Sequence, residues 1–532
     1  MGLSIKVVEL GEMSRPVDGS RYCPSGGYSS KRRVITTANL LVVVVESDQW
    51  GRVGNRSLRS TMSLVFEPVD EKIKLGRVAL DLFRNADQGQ VDAAVTAVDW
   101  SLYRPENARA LAELAVEETG LGNVEDKVRK NQRKTMGTLR DLLRAKTVGM
   151  VSEDQVLGVS QYAKPVGLVA AVTPSTNPAA TPINKSMMAI KGRNAIIIAP
   201  PPSAWRTTAA VVDLARRQLG KVGAPQDLIQ LLPEPVTFAA TRSLMEQADL
   251  VVATGSQDRV RDAYKSGTPA IGVGAGNVPV IIDSSADLTV AARLIATSKS
   301  FDNGSSCSSE GALIILDDVY EAAIKALEKE GGHRADGGER ERIISGLFPG
   351  GQLNRGVIAK DYRTLHQTFK LRGPDSSRFV MVEEPGPHSE LPLSREKISL
   401  VLTLYRARDF EHAVELVLTV LDIAGIGHSA GIHCSDRSLS RLLAERVPVG
   451  RVLVNQAHAM GNGGSFDNGL PFSLSMGCGT WAGNSISENL NVKHFINTTR
   501  LVETCEVDEP TVVELFERHC RSVGDLASLP VD

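Results

Sequence analysis

The chain has 532 residues, 42% of them hydrophobic, with 60 basic against 62 acidic side chains and a formal net charge of −2. That length supports several cores, about three at roughly 100–200 residues per domain, and the even charge gives no electrostatic case for nucleic acid or a membrane surface as partner. Six cysteines (Cys23, Cys307, Cys434, Cys478, Cys505, Cys520) are scattered without a CxxC pair or metal-ligand spacing, which argues against a disulfide framework or structural zinc and fits a reducing cytoplasm.

Residues 1–61 show little sustained periodicity. They are either a functional extension or, the favoured reading, a stretch ahead of a natural start at Met62, not native or disordered. The aliphatic run "NLLVVVV" (39–45) is far short of the ~20 residues that cross a bilayer, and no signal-peptide cleavage site follows it.

Residues 70–145 are expected to be helical, because apolar residues recur every three to four positions in "EKIKLGRVALDLFRNA", "QGQVDAAVTAVDWSLY" and "ENARALAELAVEETG". "KTVGMVSEDQVLGVSQYAKPVG" reads as a hairpin, either an arm between subunits or a surface feature. From 166, apolar runs ("VGLVAAVTP", "NAIIIAP", "DLIQLLP", "DLVVATGS") alternate with amphipathic segments. That pattern means a parallel sheet covered on both faces, with ligand crevices at the carboxyl ends of its strands. A second alternating region follows 288, with "GALIILD", "KISLVLTLYRA", "HSAGIHCSD" and "GRVLVNQ" as its strands. A glycine-rich stretch over 461–484 carries Phe466, Phe472 and Trp481 and is read as an ordered loop.

Four places carry chemistry. "IGVGAGNVPVIID" (271–283) has glycines at 272, 274 and 276, but Pro279 and a β run follow where a dinucleotide fingerprint needs a helix, so it reads as a tight loop between strands. Thr254-Gly255-Ser256, between a strand and a helix, offers free N–H groups and a helix dipole to an anion, or is an ordinary turn. Asn177, held extended by Pro178, is either a turn residue or a donor to a developing oxyanion. Cys307, in "FDNGSSCSSE", sits among small polar residues behind an Asp-Asn-Gly turn, which suits a displayed nucleophile more than a packing thiol.

Together these stretches resemble the aldehyde dehydrogenases. "PVGLVAAVTPSTNP", "KGRNAIIIAP", "ATGSQDRVRDAYKSGTPAIGVGAGNVPVIID", "FDNGSSCSSE", "EKIS", "GIGHSAGIHC" and "LSMGCGTWAGNSISENLNVKHFIN" stand in the family's order over roughly 62–505. The combination is similar to the CoA-acylating branch, and within it most similar to acylating sulfoacetaldehyde dehydrogenases. The resemblance implies an α/β fold: an NAD(P)-binding domain over 62–287 carrying the 145–164 hairpin, a catalytic domain over 288–484, and a return over 485–532 with an arm strand near 492–502. It implies a homodimer or homotetramer in the cytoplasm, small-molecule aldehyde and CoA as substrates, and neither a metal nor a nucleic-acid or membrane partner.

The same resemblance assigns roles. Cys307 attacks the aldehyde; Asn177 and the Cys307 backbone N–H hold the oxyanion; His428 is a general base. Thr254, Gly255 and Ser256 lie by the cofactor pyrophosphate, and Glu396 holds the nicotinamide ribose. Hydrolytic relatives carry a water-activating glutamate where this chain has Val273, which favours CoA over water as acyl acceptor. Ala199 stands nearest the lysine that grips the adenosine ribose in those relatives. With no acidic residue beside it, Ser203 and Arg206 suit a 2′-phosphate and lean the cofactor to NADP over NAD. Gln456, His458 and Asn462 are offered as contacts for a sulfonate. The alternatives are an acylating enzyme for acetaldehyde or succinate semialdehyde, a hydrolytic dehydrogenase, and a non-catalytic scaffold.

Overall fold

The computed structural model describes residues 2–9, 32–37, 40–47, 56–506 and 509–529. Contacts divide the chain into two units, Met1–Val65 and Phe66–Asp532. In the first, Gly2–Glu9, Leu40–Ser47 and Arg32–Thr37 form an antiparallel sheet in that order. A helix over Arg56–Phe83 begins upstream of Met62, the point at which the sequence becomes regular. The remainder of 1–55, Cys23 included, lies outside the described residues. So does the expectation that the stretch is not native or is disordered.

The second unit is built on two parallel sheets. In the first sheet the strand order is Ala270–Gly272, Leu250–Ala253, Leu168–Val172, Ala195–Ala199, Ile229–Leu231. Leu168–Val172 and Ala195–Ala199 are buried at every position, as their unbroken apolar text requires for strands covered on both faces. The covering helices include Ala180–Lys191, ended by Gly192 as expected, and Trp205–Lys221. Three segments leave the carboxyl ends of neighbouring strands side by side: 173–179, 200–204 and 254–256.

The second sheet has seven parallel strands in the order Gly332–Arg334, Phe379–Glu383, Val401–Ala407, Glu310–Leu316, Val278–Ile282, Ala430–His433, Val452–Val454. The expected boundary at 287 is corrected here. Val278–Ile282 pairs with Glu310–Leu316 and Ala430–His433, so the chain changes sheets at the glycine loop 273–277. No helix follows that loop, and the rejected dinucleotide fingerprint stays rejected.

The hairpin resolves into Met150–Asp154 and Val159–Pro165. Ile496–Val502 adds to it antiparallel, Ile496 opposite Pro165 and Val502 opposite Val159. This third sheet is largely exposed, and it brings the chain's end back to the hairpin as the sequence suggested, although Val492–Phe495 is a 3₁₀ turn rather than strand.

Candidate active site

The helix Leu288–Ser300 ends in a tight turn, and Cys307 lies between that turn and the strand Glu310–Leu316. Asp302 and Asn303 both adopt left-handed backbone (φ 48° and 55°), with Gly304 at φ 68°. For two non-glycine residues this costs about 1–2 kcal/mol each. The segment is held from outside: the Asp302 carboxylate accepts from the Asn123 N–H (2.9 Å) and Ser305 Oγ (2.6 Å), and Asn303 Nδ2 donates to the Gly122 carbonyl (3.0 Å). A side chain at Gly276 would place its Cβ 1.9 Å from the Cys307 carbonyl oxygen, so glycine there lets the glycine loop lie directly against the cysteine backbone.

Cys307 is part-exposed and lines a small cavity with Glu396, Glu310, Lys299 and Asn277. Burial pushes its thiol up to about 12; Glu396 and Cys478 add to the rise, and Ser308 and Arg451 oppose it. Glu396 is itself pushed up to about 8 by burial, against a hydrogen bond from the Gly276 backbone and the charge of Lys397. Burial likewise raises Glu310, whose Oε2 has no partner. Val273 is buried, and no carboxylate stands at that position. Two carboxyls from elsewhere nevertheless border the thiol's cavity, which the reading from Val273 alone did not foresee.

His428 is fully buried. Its Nδ1 meets Ser429 Oγ at 2.9 Å; Asn462 Nδ2 donates to Ser429 Oγ (3.1 Å) and to Ser308 Oγ (3.0 Å). The chain of contacts therefore ends beside Cys307. His428 Nε2 has no partner. Burial, then the charge of Arg451, pushes His428 down to about 3, so the imidazole is neutral at physiological pH and only weakly basic in these surroundings.

Asn177 is part-exposed at the carboxyl end of Leu168–Val172. Its Oδ1 accepts from Lys130 Nζ at 3.1 Å, and Lys130 Nζ also reaches Asp302 Oδ2 (2.5 Å) and Ser305 Oγ (3.2 Å). Lys127 Nζ donates to Asp302 Oδ2 (3.2 Å) and the Thr176 carbonyl (3.0 Å). Burial pushes Asp302 up, but Lys130 and Lys127 outweigh it and hold the carboxyl below its usual value. Lys127 is pushed down to about 8 by burial, opposed by Asp302. This buried lysine pair was missed from sequence. Its signal was the basic run "KVRKNQRK" (127–134), which puts two lysines three positions apart on one helix face.

Thr254, Gly255 and Ser256 lead from Leu250–Ala253 into the helix Gln257–Lys265. Gly255 and Ser256 are exposed, Ser256 makes no side-chain cap, and a Cβ on Gly255 would meet only Arg259, at 4.0 Å. Free N–H groups facing open space are what a diphosphate needs, so these residues fit the cofactor the resemblance implies. Behind them Lys185 Nζ donates to Thr254 Oγ1 at 2.8 Å.

Ser203 and Arg206 are exposed at the start of Trp205–Lys221. Here the sequence reading needs correction, because it expected no acidic residue at this point. Glu118, from the helix Pro105–Thr119, accepts from the Arg206 N–H (2.8 Å), the Thr207 N–H (2.8 Å) and Thr207 Oγ1 (2.6 Å), while Arg206 Nη2 donates to Glu117 Oε1 at 3.2 Å. The Arg206 charge is already matched.

Two of the three suggested sulfonate contacts, His458 and Asn462, are buried, and Gln456 keeps its amide nitrogen free. His458 is buried against the Gly431 backbone, Gln456 Oε1 accepts from Asn468, and Asn462 is committed to Ser308 and Ser429. The glycine-rich loop is ordered by its own aromatics, Phe466 and Phe472 lying 4.8 Å apart between ring centres. Among the described residues no cluster of three metal-binding side chains occurs, and no helix is long and apolar enough to cross a membrane.

Two parallel sheets, an anion-ready strand-to-helix turn at one and a clamped cysteine at the other define an oxidoreductase of the aldehyde dehydrogenase type, and the chain belongs to that family: the Aldehyde dehydrogenase family matches residues 70–334. It is 46% identical over 460 residues to a sulfoacetaldehyde dehydrogenase (acylating) of Cupriavidus necator, covering 86% of this chain and 93% of that one. It is 41% identical over 436 residues to another of the same description from Bilophila wadsworthia, covering 81% and 94%. An acetylating aldehyde dehydrogenase from Geobacillus thermoglucosidasius superposes with a TM-score of 0.81 at 34% identity, over 86% of this chain and 100% of that one.

Proposed function

We propose that the protein is a CoA-acylating aldehyde dehydrogenase that converts sulfoacetaldehyde, NAD(P)⁺ and CoA to the acyl-CoA, NAD(P)H and a proton. The observation that supports this most is Cys307, part-exposed at its cavity with Asn177 tied to the same loop, in a chain 46% identical to an acylating relative.

In this reading His428 Nε2 takes the Cys307 thiol proton as Sγ bonds to the aldehyde carbon. The carbonyl oxygen becomes an oxyanion held by Asn177 Nδ2 and the Cys307 N–H. When bound, the nicotinamide supplies the hydride acceptor. Glu396 would hold its ribose, Thr254, Gly255 and Ser256 its pyrophosphate, and Ser203 the adenosine end, with Arg206 beside it paired to Glu117. Collapse of the oxyanion leaves an acyl thioester on Cys307. His428 releases the first proton to solvent; the CoA sulfur then bonds to the acyl carbon, the bond to Cys307 Sγ breaks, and the CoA thiol proton passes through His428 to restore the Cys307 thiol. The exposed arm, hairpin plus Ile496–Val502, is the surface on which we place a homodimer or homotetramer.

One observation favours a second reading, hydrolysis to the free acid: Glu396 and Glu310 border the thiol's cavity. Burial, which raises both, keeps a large share of each protonated at neutral pH, but the carboxylate that remains is a competent base, so CoA dependence decides between the two readings. The deciding experiment is NAD(P)H formation over an aldehyde panel that includes sulfoacetaldehyde, acetaldehyde and succinate semialdehyde, with and without CoA, beside Cys307→Ala. Turnover that needs CoA, prefers sulfoacetaldehyde and vanishes in Cys307→Ala is expected. Equal turnover without CoA overturns the acylating reading.

A further inference from the structure

An amide that donates to an oxyanion works only with its NH₂ turned toward the substrate. Carbon-bound oxygen and nitrogen are close in size, and packing alone does not distinguish them. In this protein the distinction is made chemically. Lys130 Nζ lies 3.1 Å from Asn177 Oδ1. An ammonium carries donors and no acceptor, so the atom it meets must be the oxygen. The other end of the amide makes only a 3.5 Å contact with Thr176 Oγ1 and keeps N–H capacity free.

The same ammonium is bonded at 2.5 Å to Asp302 Oδ2 and at 3.2 Å to Ser305 Oγ, both on the turn that delivers Cys307. Asp302 lies 172 residues along the chain from Lys130, and Asn177 lies 47. One side chain therefore joins the two segments that would supply the two oxyanion donors. Lys130 opens a single π-helical turn, Lys130–Lys134, between the helices Val124–Arg129 and Thr135–Arg144. Such turns are rare and re-aim side chains, often at functional sites. Lys127, on the same face, reaches Asp302 and the Thr176 carbonyl, so the anchor is doubled while the contact to the Asn177 side chain belongs to Lys130.

We infer that Lys130 is a positioning residue for the oxyanion site: it fixes the orientation of the Asn177 amide, polarises it, and sets its distance from the Cys307 loop through Asp302. The inference rests on the reading of Cys307 and Asn177 given above. A cation on the amide oxygen draws electron density from the nitrogen and strengthens its N–H donors, an effect that needs the charge as well as the contact.

The test is a double-mutant cycle on the full chain, with kcat, the KM values for NAD(P)⁺ and CoA, and thermal midpoint measured together. Lys130→Met is expected to lower kcat roughly 10- to 100-fold, the range typical of a residue acting on a reacting group through another, with both KM values within about twofold. In an Asn177→Ala background the same substitution is expected to cost less than about twofold, because the group it acts through is gone. Lys130→Gln keeps an N–H donor without the charge and is expected to fall between Lys130 and Lys130→Met. It also carries the cycle if the methionine variant does not fold. Equal losses in the two backgrounds, or a loss confined to KM or the thermal midpoint, overturn the inference. Turnover retained in Cys307→Ala removes the underlying reading instead, whereas an inactive Cys307→Ala with additive Lys130 and Asn177 losses removes this inference alone.

Discussion

The turn that delivers Cys307 and the turn that would receive the cofactor diphosphate are built on opposite principles. The cysteine turn holds two left-handed non-glycine residues and a buried carboxylate shared by two lysines, and it is tied to residues 122–130 and to Ala359. The Thr254–Ser256 turn is exposed, uncapped and free of such ties except at Thr254. A nucleophile has to be in place before its substrate arrives, so its geometry is set by the protein and carries strain. A phosphate site gains its order from the anion itself and can be left open.

The comparison is broken most strongly at Asp302. Asp302→Ala leaves two buried ammoniums without their carboxylate and is expected to lower stability by about 3–5 kcal/mol, read as a shifted denaturant midpoint with loss of activity. Acid should break the same side of the molecule. His428 and His458 are pushed down to about 3 and His433 to about 4, in each case first by burial. The unfolded chain protonates these groups near pH 6.5 and the folded chain resists, so stability present above about pH 6.5 is lost as pH falls toward those lowered values. The slope is at most about 1.4 kcal/mol per pH unit for each histidine, and denaturant titrations between pH 7 and 4 measure it.

At the cofactor turn the effects should be smaller and confined to binding. Gly255→Asp puts a carboxylate at the helix N-terminus and should raise the KM for NAD(P)⁺ about 10-fold while the thermal midpoint stays nearly unchanged. The smallest effect is expected at Glu118→Gln. Removing its charge beside Arg206 should improve use of NADP⁺ relative to NAD⁺ by a few-fold, measured as the ratio of kcat/KM values, with a modest loss from weakening the cap on Trp205–Lys221.

What was legible in sequence divides along the same line. Strands such as Leu168–Val172 and Ala195–Ala199 announce themselves because a strand buried on both faces must be apolar throughout. Gly332–Arg334, three residues of "GHR", carries no such signal, and the five residues of Phe379–Glu383 stand between loops. Cys307, Asn177 and Thr254–Ser256 lie in short local patterns whose meaning does not depend on distant contacts. Lys130 and Glu118 act across 172 and 88 residues of chain, and nothing local to either says what it will meet. The change of sheet at 273–277 was misplaced for a related reason: a glycine loop reads alike whether it joins strands of one sheet or of two.

The thiol at about 12 has a consequence beyond turnover. At neutral pH the raised thiol keeps the thiolate, the form that peroxide and alkylating agents attack, a minor species. An enzyme whose substrate class is itself electrophilic is thus kept chemically quiet while idle. Part-exposed as it is, its sulfur is protected by its protonation rather than by being walled off, and it reacts once a proton acceptor is at hand.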